Sequence, residues 1–336
     1  MNAEGRAWRA RRASPDRARG CLRTLASLAG GAMAIVGCGS APKPPPAPVA
    51  RVEPPPPIVC SYNTRGLWAT AEMRDLPSIT WFTFMLPGFR ATSGEVARPV
   101  INCTGQSIRW GTLPASECPM TESEQAYLPP APNLGPQDLV IANSSETTRL
   151  VWTVTDHLND GEAEGPVALA EFRPNSVEIR AIGTLRALPE RAHLRMVKVQ
   201  GQTLLVAEGE HCDNADGSRC YRGTRLMILA DTRFEPQPVR MEDGRCLEPA
   251  FFATDRSQAV MGRDGTRRYM TANGRLDFAP DGVFIHEEVA VRSLDPDGQR
   301  PGRLLREARA DRRLNVQSGH LFVSDGDLWE RMLQEW

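Results

Sequence analysis

Lysine is nearly missing from this 336-residue chain: Lys43 and Lys198 are the only two, one in a proline-rich stretch and one inside an apolar run. A lysine base or Schiff-base nucleophile has no natural seat here. Aromatic residues make up only 6 % of the chain, which counts against a sugar platform of exposed rings. No apolar run approaches the roughly 20 residues of a membrane-spanning helix. The 40 basic and 41 acidic residues leave a net charge of −1, and so no electrostatic case for a nucleic-acid partner. Metal and nucleophile signatures are missing too: there is no CxxC, HExxH or HxxxH spacing and no GxSxG elbow. His157, His193, His211, His286 and His320 stand far apart.

The charge balance conceals an asymmetry. Residues 1–37 carry seven arginines against Glu4 and Asp16; without them the chain holds 33 basic and 39 acidic residues, a net of −6. Residues 25–37 (LASLAGGAMAIVG) are apolar and uncharged, and a basic stretch followed by a short apolar one reads as a secretory signal. Arg11-Arg12 lacks the apolar residues that follow a twin-arginine signal. Ile35-Val36-Gly37-Cys38 resembles the lipobox of bacterial lipoproteins. The resemblance implies cleavage before Cys38, a diacylglyceryl thioether on its sulfur and acyl chains that hold the protein to a membrane. By the sorting habit of that family, Gly39 rather than Asp points to the outer membrane.

Residues 41–57 contain nine prolines, a composition that stays in extended polyproline II. At about 3.1 Å per residue this is a semi-rigid stalk of roughly 50 Å. Six cysteines remain beyond Cys21 and Cys38: Cys60, Cys103, Cys118, Cys212, Cys220 and Cys246. An even number in an oxidising compartment predicts disulfides. Locality favours Cys103–Cys118 and Cys212–Cys220, which leaves Cys60–Cys246, although six cysteines allow 15 pairings.

From residue 138 onward short β-rich runs alternate with turn dipeptides. These include Asp160-Gly161, Gln200-Gly201, Asp216-Gly217, Asp243-Gly244, Asp264-Gly265, Asn273-Gly274, Asp281-Gly282 and Asp297-Gly298. Asp-Gly and Asn-Gly supply the positive φ angles of two-residue hairpins. The expected fold is all-β and antiparallel, propeller-like in its many short strands, with a β-sandwich or irregular barrel as the alternative. No Trp-Asp or Kelch signature accompanies it. Trp81 in ITWFTFML and Trp152 in LVWTV read as strand core. Residues 304–313 divide between helix and strand-plus-loop, and Asp325-Gly326-Asp327 caps a short C-terminal helix with Leu328, Met332 and Leu333 on one face. The organisation read from the sequence is a leader at 1–37, a lipid-anchored linker at 38–58, an N-terminal β subdomain or first blades at 59–137, and a β-rich domain at 138–336.

No cofactor is implied. Calcium is the metal that compartment and composition favour, with Asp156 to Gly161, Asp213 to Asp216, and Asp295 with Asp297 as candidate loops; none has EF-hand spacing, and turn work accounts for these acids. Glu287-Glu288 and Asp295/Asp297 are the carboxylate pairs a glycosidase would need. The expected function is therefore an envelope lipoprotein whose disulfide-stapled β body binds a protein or glycan partner or serves as a scaffold. A secreted hydrolase or lyase on the same architecture is the alternative.

Overall fold

The computed structural model describes residues 57–64, 76–108, 127–212, 220–241, 246–295 and 300–335. The leader, Cys38, the stalk up to residue 56, Cys118 and the Asp216-Gly217, Asp243-Gly244 and Asp297-Gly298 dipeptides lie outside them. Pro54–Trp336 forms one compact unit.

The fold is all-β. Its first part carries β1 (Cys60–Asn63), helix α1 (Ser78–Met85), β2 (Phe89–Arg90) and β3 (Glu95–Val96). A run of strands follows: β4 (Leu139–Asn143), β5 (Thr148–Thr153), β6 (Asp156–His157), β7 (Ala163–Arg173), β8 (Ser176–Ala187), β9 (Glu190–Val199), β10 (Gln202–Cys212) and β11 (Cys220–Ala230). Three four-residue strands come next, β12 (Arg233–Pro236), β13 (Pro238–Met241) and β14 (Cys246–Pro249). The chain closes with β15 (Phe251–Met261), β16 (Arg267–Ala279), β17 (Gly282–Leu294), β18 (Pro301–Gln317), β19 (His320–Val323) and helix α2 (Leu328–Glu335).

Two antiparallel series are joined through β12. One runs β4–β5–β7–β8, and the far edge of β8 takes β1 antiparallel and β12 parallel. The other runs β9–β10–β11, then β15 through β19. Strand β12 bridges β8 and β11, and β13 pairs parallel with β19. Seventeen strands thus form one connected ladder. The separate four-stranded blades of a propeller do not appear among the described residues, and several strands are longer than the expected short runs: β18 alone has 17 residues.

Among the described residues most dipeptide signals fall where expected. Gln200 and Gly201 turn β9 into β10 with φ of 48° and 78°. Asp264-Gly265 and Asp281-Gly282 close the hairpins of β16 on either side. Asn273-Gly274 is the exception: it lies inside β16, opposite Glu288 and Glu287. The segment 304–313 is strand, not helix. Conversely ITWFTFM is helix α1 rather than strand. Pro77 precedes it at φ −54°, and Leu86, extended because Pro87 follows, ends it. Trp81, Phe82, Phe84 and Met85 are all buried there, so no amphipathic period announced the helix. The C-terminal helix is present, and the Asp327 carboxylate accepts the Trp329 amide at 2.6 Å.

Burial explains the long apolar runs of the middle hairpin. Leu205, Ala207 and Met227 enter one core with Leu150, Trp152 and Leu185. Their neighbours Leu204, Val206, Leu226 and Ile228 point the other way, into a second core with Val283, Leu314 and Leu321. Strands β10 and β11 are therefore a wall shared by two cores, and no alternation survives along them. Helix α1 covers the outer face of β5, β7 and β8. Helix α2 covers one face of β16, β17 and β18 through Trp329 and Met332.

Among the described residues two disulfides are seen. Cys212–Cys220 joins directly opposed residues of the β10–β11 hairpin, as expected. Cys103 is bonded to Cys60, not Cys118, so both the Cys103–Cys118 and the Cys60–Cys246 pairings are corrected. Sequence proximity misled because the chain folds back: β1 and the segment around Cys103 both pack against the α1 core. Non-reducing peptide mapping should recover a peptide linking Cys60 to Cys103. By loop-closure entropy, losing that bridge costs about 4 kcal/mol and losing Cys212–Cys220 about 2–3 kcal/mol, readable by urea unfolding of the paired serine variants.

Candidate functional site

Two clefts lie side by side along β16 and share Gly274 and Arg275. The first, about 360 Å³, opens where β9, β10, β11, β15 and β16 converge. The second, about 420 Å³, lies across β16, β17 and β18. Ladder irregularities explain the first. The β9–β10 register slips between Glu208 and Glu210, and the β11–β15 register slips between Arg222 and Gly223. Bulges splay strands and re-aim side chains. At Gly223 a Cβ would stand 2.1 Å from the Phe251 ring, so glycine here leaves room for that ring. Gly274, expected at a turn, instead leaves part of the floor between the clefts without a side chain.

Charge fills both clefts, and it is internally matched. In the first, Glu210 is buried and accepts from Arg191 at 2.9 Å and Arg222 at 3.3 Å, while Glu208 pairs with Arg195 at 2.7 Å. Arg275 pairs with Asp277 at 2.9 Å. In the second, His286 lies between two carboxylates, Asp311 at 2.6 Å from Nδ1 and Asp277 at 3.3 Å from Nε2. Arg309 reaches Glu288 at 3.2 Å and Glu307 at 2.9 Å. All of these groups except Glu210 are a third or more exposed, where such pairs contribute at most about 1 kcal/mol each. They can exchange partners with a ligand at little cost.

As chemistry, the row Asp277–His286–Asp311 has the acid–base part of a relay and lacks the rest. Both ring nitrogens face carboxylates, and among the described residues no hydroxyl or thiol is hydrogen-bonded to the ring. A nucleophile activated by His286 would need that bond. Glu287 and Glu288 do not form a carboxylate pair, because adjacent strand residues face opposite ways. Glu288 faces the cleft. Glu287 turns toward α2, binds Arg312 at 2.8 Å and accepts the Leu328 amide at 3.4 Å. Burial pushes its carboxyl up, and Asp327 adds to this, against the opposing pull of Arg312.

The other sequence candidates stay apart. Asp156 is held by Arg98 at 2.6 Å and Asp160 by Arg186 at 2.7 Å, so neither turns toward a shared cation. Asp213, Asp216 and Asp297 lie outside the described residues. Asp295 accepts the Arg300 amide at 3.1 Å, as a turn residue does. Among the described residues one group of three metal-ligating side chains converges, Glu210 with Cys212 and Cys220, and the two sulfurs are bonded to each other. Of the five histidines, His193 and His286 line different clefts. His211 packs its ring over Gly161, whose φ is 85° and where a Cβ would come within 2.3 Å. Sequence reasoning missed the clefts themselves, which depend on two bulges and a glycine inside a strand.

No protein-family model, no curated protein and no solved structure matches the chain.

Proposed function

We propose that this protein is a lipid-anchored outer-membrane protein of the bacterial envelope, whose disulfide-stapled β body is a binding or scaffold module with the paired clefts as its contact face. The observation that carries the reading is the character of those clefts: open, polar and lined by matched ions, with no nucleophile among the described residues bonded to His286. Such a surface suits exchange of ion pairs with a partner better than water-excluding catalysis. Among the described residues no Phe, Tyr or Trp lines either cleft, which favours an envelope protein over a glycan as partner. The lipobox residues Ile35 to Cys38, the proline-rich stalk and the two disulfides are consistent with export and tethering. The hydrolase or lyase reading rests on the Asp277–His286–Asp311 row alone.

The anchor and the contact face are tested separately. Cys38→Ala should abolish metabolic palmitate labelling and leave the precursor uncleaved; membrane partitioning without lipid on wild-type Cys38 would reject the anchor. A photo-cross-linking residue at Arg275 in the full chain should give one discrete envelope adduct in cells, and the same residue at exposed Glu330 on α2 should give none. Equal labelling from both positions would reject the clefts as the contact face.

A further inference from the structure

The outer edge of β18 is a second surface, and it is self-complementary. One edge of this strand pairs with β17 from Pro301 to Leu314. The other edge takes β19, but only from Leu314 to Gln317. Among the described residues nothing pairs with the outer edge before Leu314. The β17 register slips past Leu305, between Arg306 and Leu304, so the regular part of the free edge runs from Arg306 to Arg313. A long unpaired edge is a template for another strand.

Its side chains limit what that strand is. On the cleft face stand Glu307, Arg309, Asp311 and Arg313, alternating in sign. Ala308 and Ala310, on the opposite face, pack toward α2. Consider a second copy approaching antiparallel about a twofold axis. A centre on Arg309 puts Arg309 against itself and Glu307 against Asp311. A centre on Ala310 puts Arg309 against the Asp311 of the second copy and Glu307 against its Arg313, each pair twice, with Ala310 against Ala310. Like charges directly opposite destabilise a strand pair and opposite charges stabilise it. Steric limits agree with the second register: it uses the edge from Glu307 to Arg313 and stops where β19 already occupies Leu314.

We propose that the protein self-associates into a twofold dimer through the outer edges of β18, in the antiparallel register centred on Ala310. The charges reject centres on Arg309 and Asp311; a centre on Ala308 pairs Glu307 with Arg309 but sets Asp311 against Leu305, where the strand is irregular. Arg309 and Asp311 also line the second cleft. Dimerisation therefore joins the second clefts of the two copies into one surface across the axis. This inference does not rest on the proposed envelope role.

The test is the mass of the detergent-solubilised full chain by light scattering or sedimentation, on wild type and four variants. Wild type should show twice the monomer mass. Arg309→Asp alone sets a carboxylate against Asp311 of the other copy, twice across the axis. It should weaken the dimer by at least about tenfold, given the several kcal/mol that like charges cost at an interface. Asp311→Arg alone should do the same. Arg309→Asp with Asp311→Arg restores opposite charges in this register and should recover the dimer. Arg309→Pro removes an amide that faces the free edge, whereas the Ala308 amide faces β17, and should give monomer, with its thermal midpoint showing that it is folded. Wild-type monomer at all concentrations overturns the proposal. So does a dimer indifferent to both single reversals, or one that the double swap fails to rescue.

Discussion

Glu162→Ala is expected to destabilise the protein by about 3–5 kcal/mol, the range for removing one partner of a buried ion pair. Glu162 lies between two guanidinium groups: Arg186 at 2.5 Å and Arg225 at 2.6 Å, with all three side chains less than a tenth exposed. Arg225 also donates to the Arg186 carbonyl and stacks over Phe251. Removing the carboxylate leaves two cations facing each other out of water, with Asp160 the remaining neighbour acid at 2.7 Å from Arg186. Glu162→Gln keeps the volume and an acceptor, loses the charge, and should fall between alanine and wild type. Burial by itself would raise the Glu162 carboxyl; Arg225 and then Arg186 more than offset it, and hold the group below its ordinary value of 4.5. A depressed folded-state value means that the stabilisation is complete above pH 4.5 and is lost as pH falls through the folded value. Urea unfolding should thus show the wild type losing more stability than Glu162→Ala between neutral pH and the acid limb. A variant within about 0.5 kcal/mol of wild type at neutral pH would mean that the cluster is solvated and structurally idle.

Sequence reading succeeds where the signal is local. Turn chemistry was legible for that reason: Gln200-Gly201 and Gly265 need no distant partner to take positive φ, and Asp281-Gly282 also marks its turn, though without positive φ. Asn273-Gly274 carries the same signal and is strand, because β15 and β17 already bracket it and the ladder overrides the dipeptide. In REARADRR, Glu307, Arg309 and Asp311 alternate with Ala308 and Ala310, a period of two that marks a strand; high helix propensity masked it. The candidate site was not legible. Arg191, Glu210, Arg275 and Arg309 are ordinary charged residues of four different strands, and only register and bulges bring them to neighbouring clefts. Cys60 and Cys103 met for a similar non-local reason, the packing of α1 under both.

The wall between the two main cores makes the most demanding prediction, because it departs from the usual behaviour of a strand. Leu226 and Met227 are consecutive, both fully buried, and belong to different cores. On a strand with one solvated face, one of two neighbours tolerates truncation. Here Leu226→Ala and Met227→Ala should each cost about 2–5 kcal/mol, the span for emptying a buried aliphatic site. Leu205 and Val206, opposite Met227 and Leu226 on β10, should likewise both be sensitive. In β16 the same test should give alternation: Met270 is fully buried under α2, whereas Thr271 lies on the half-buried face opposite Ala290. Met270→Ala should fall in the range of the wall residues, and Thr271→Ala should stay below about 1 kcal/mol. Because Leu226 and Met227 sit in separate cores, their effects should add to within about 0.5 kcal/mol unless the backbone between them shifts. Chemical denaturation of the two singles and the double settles the matter: if either single variant is near neutral, β11 has a solvated face and the two cores are not divided by this hairpin.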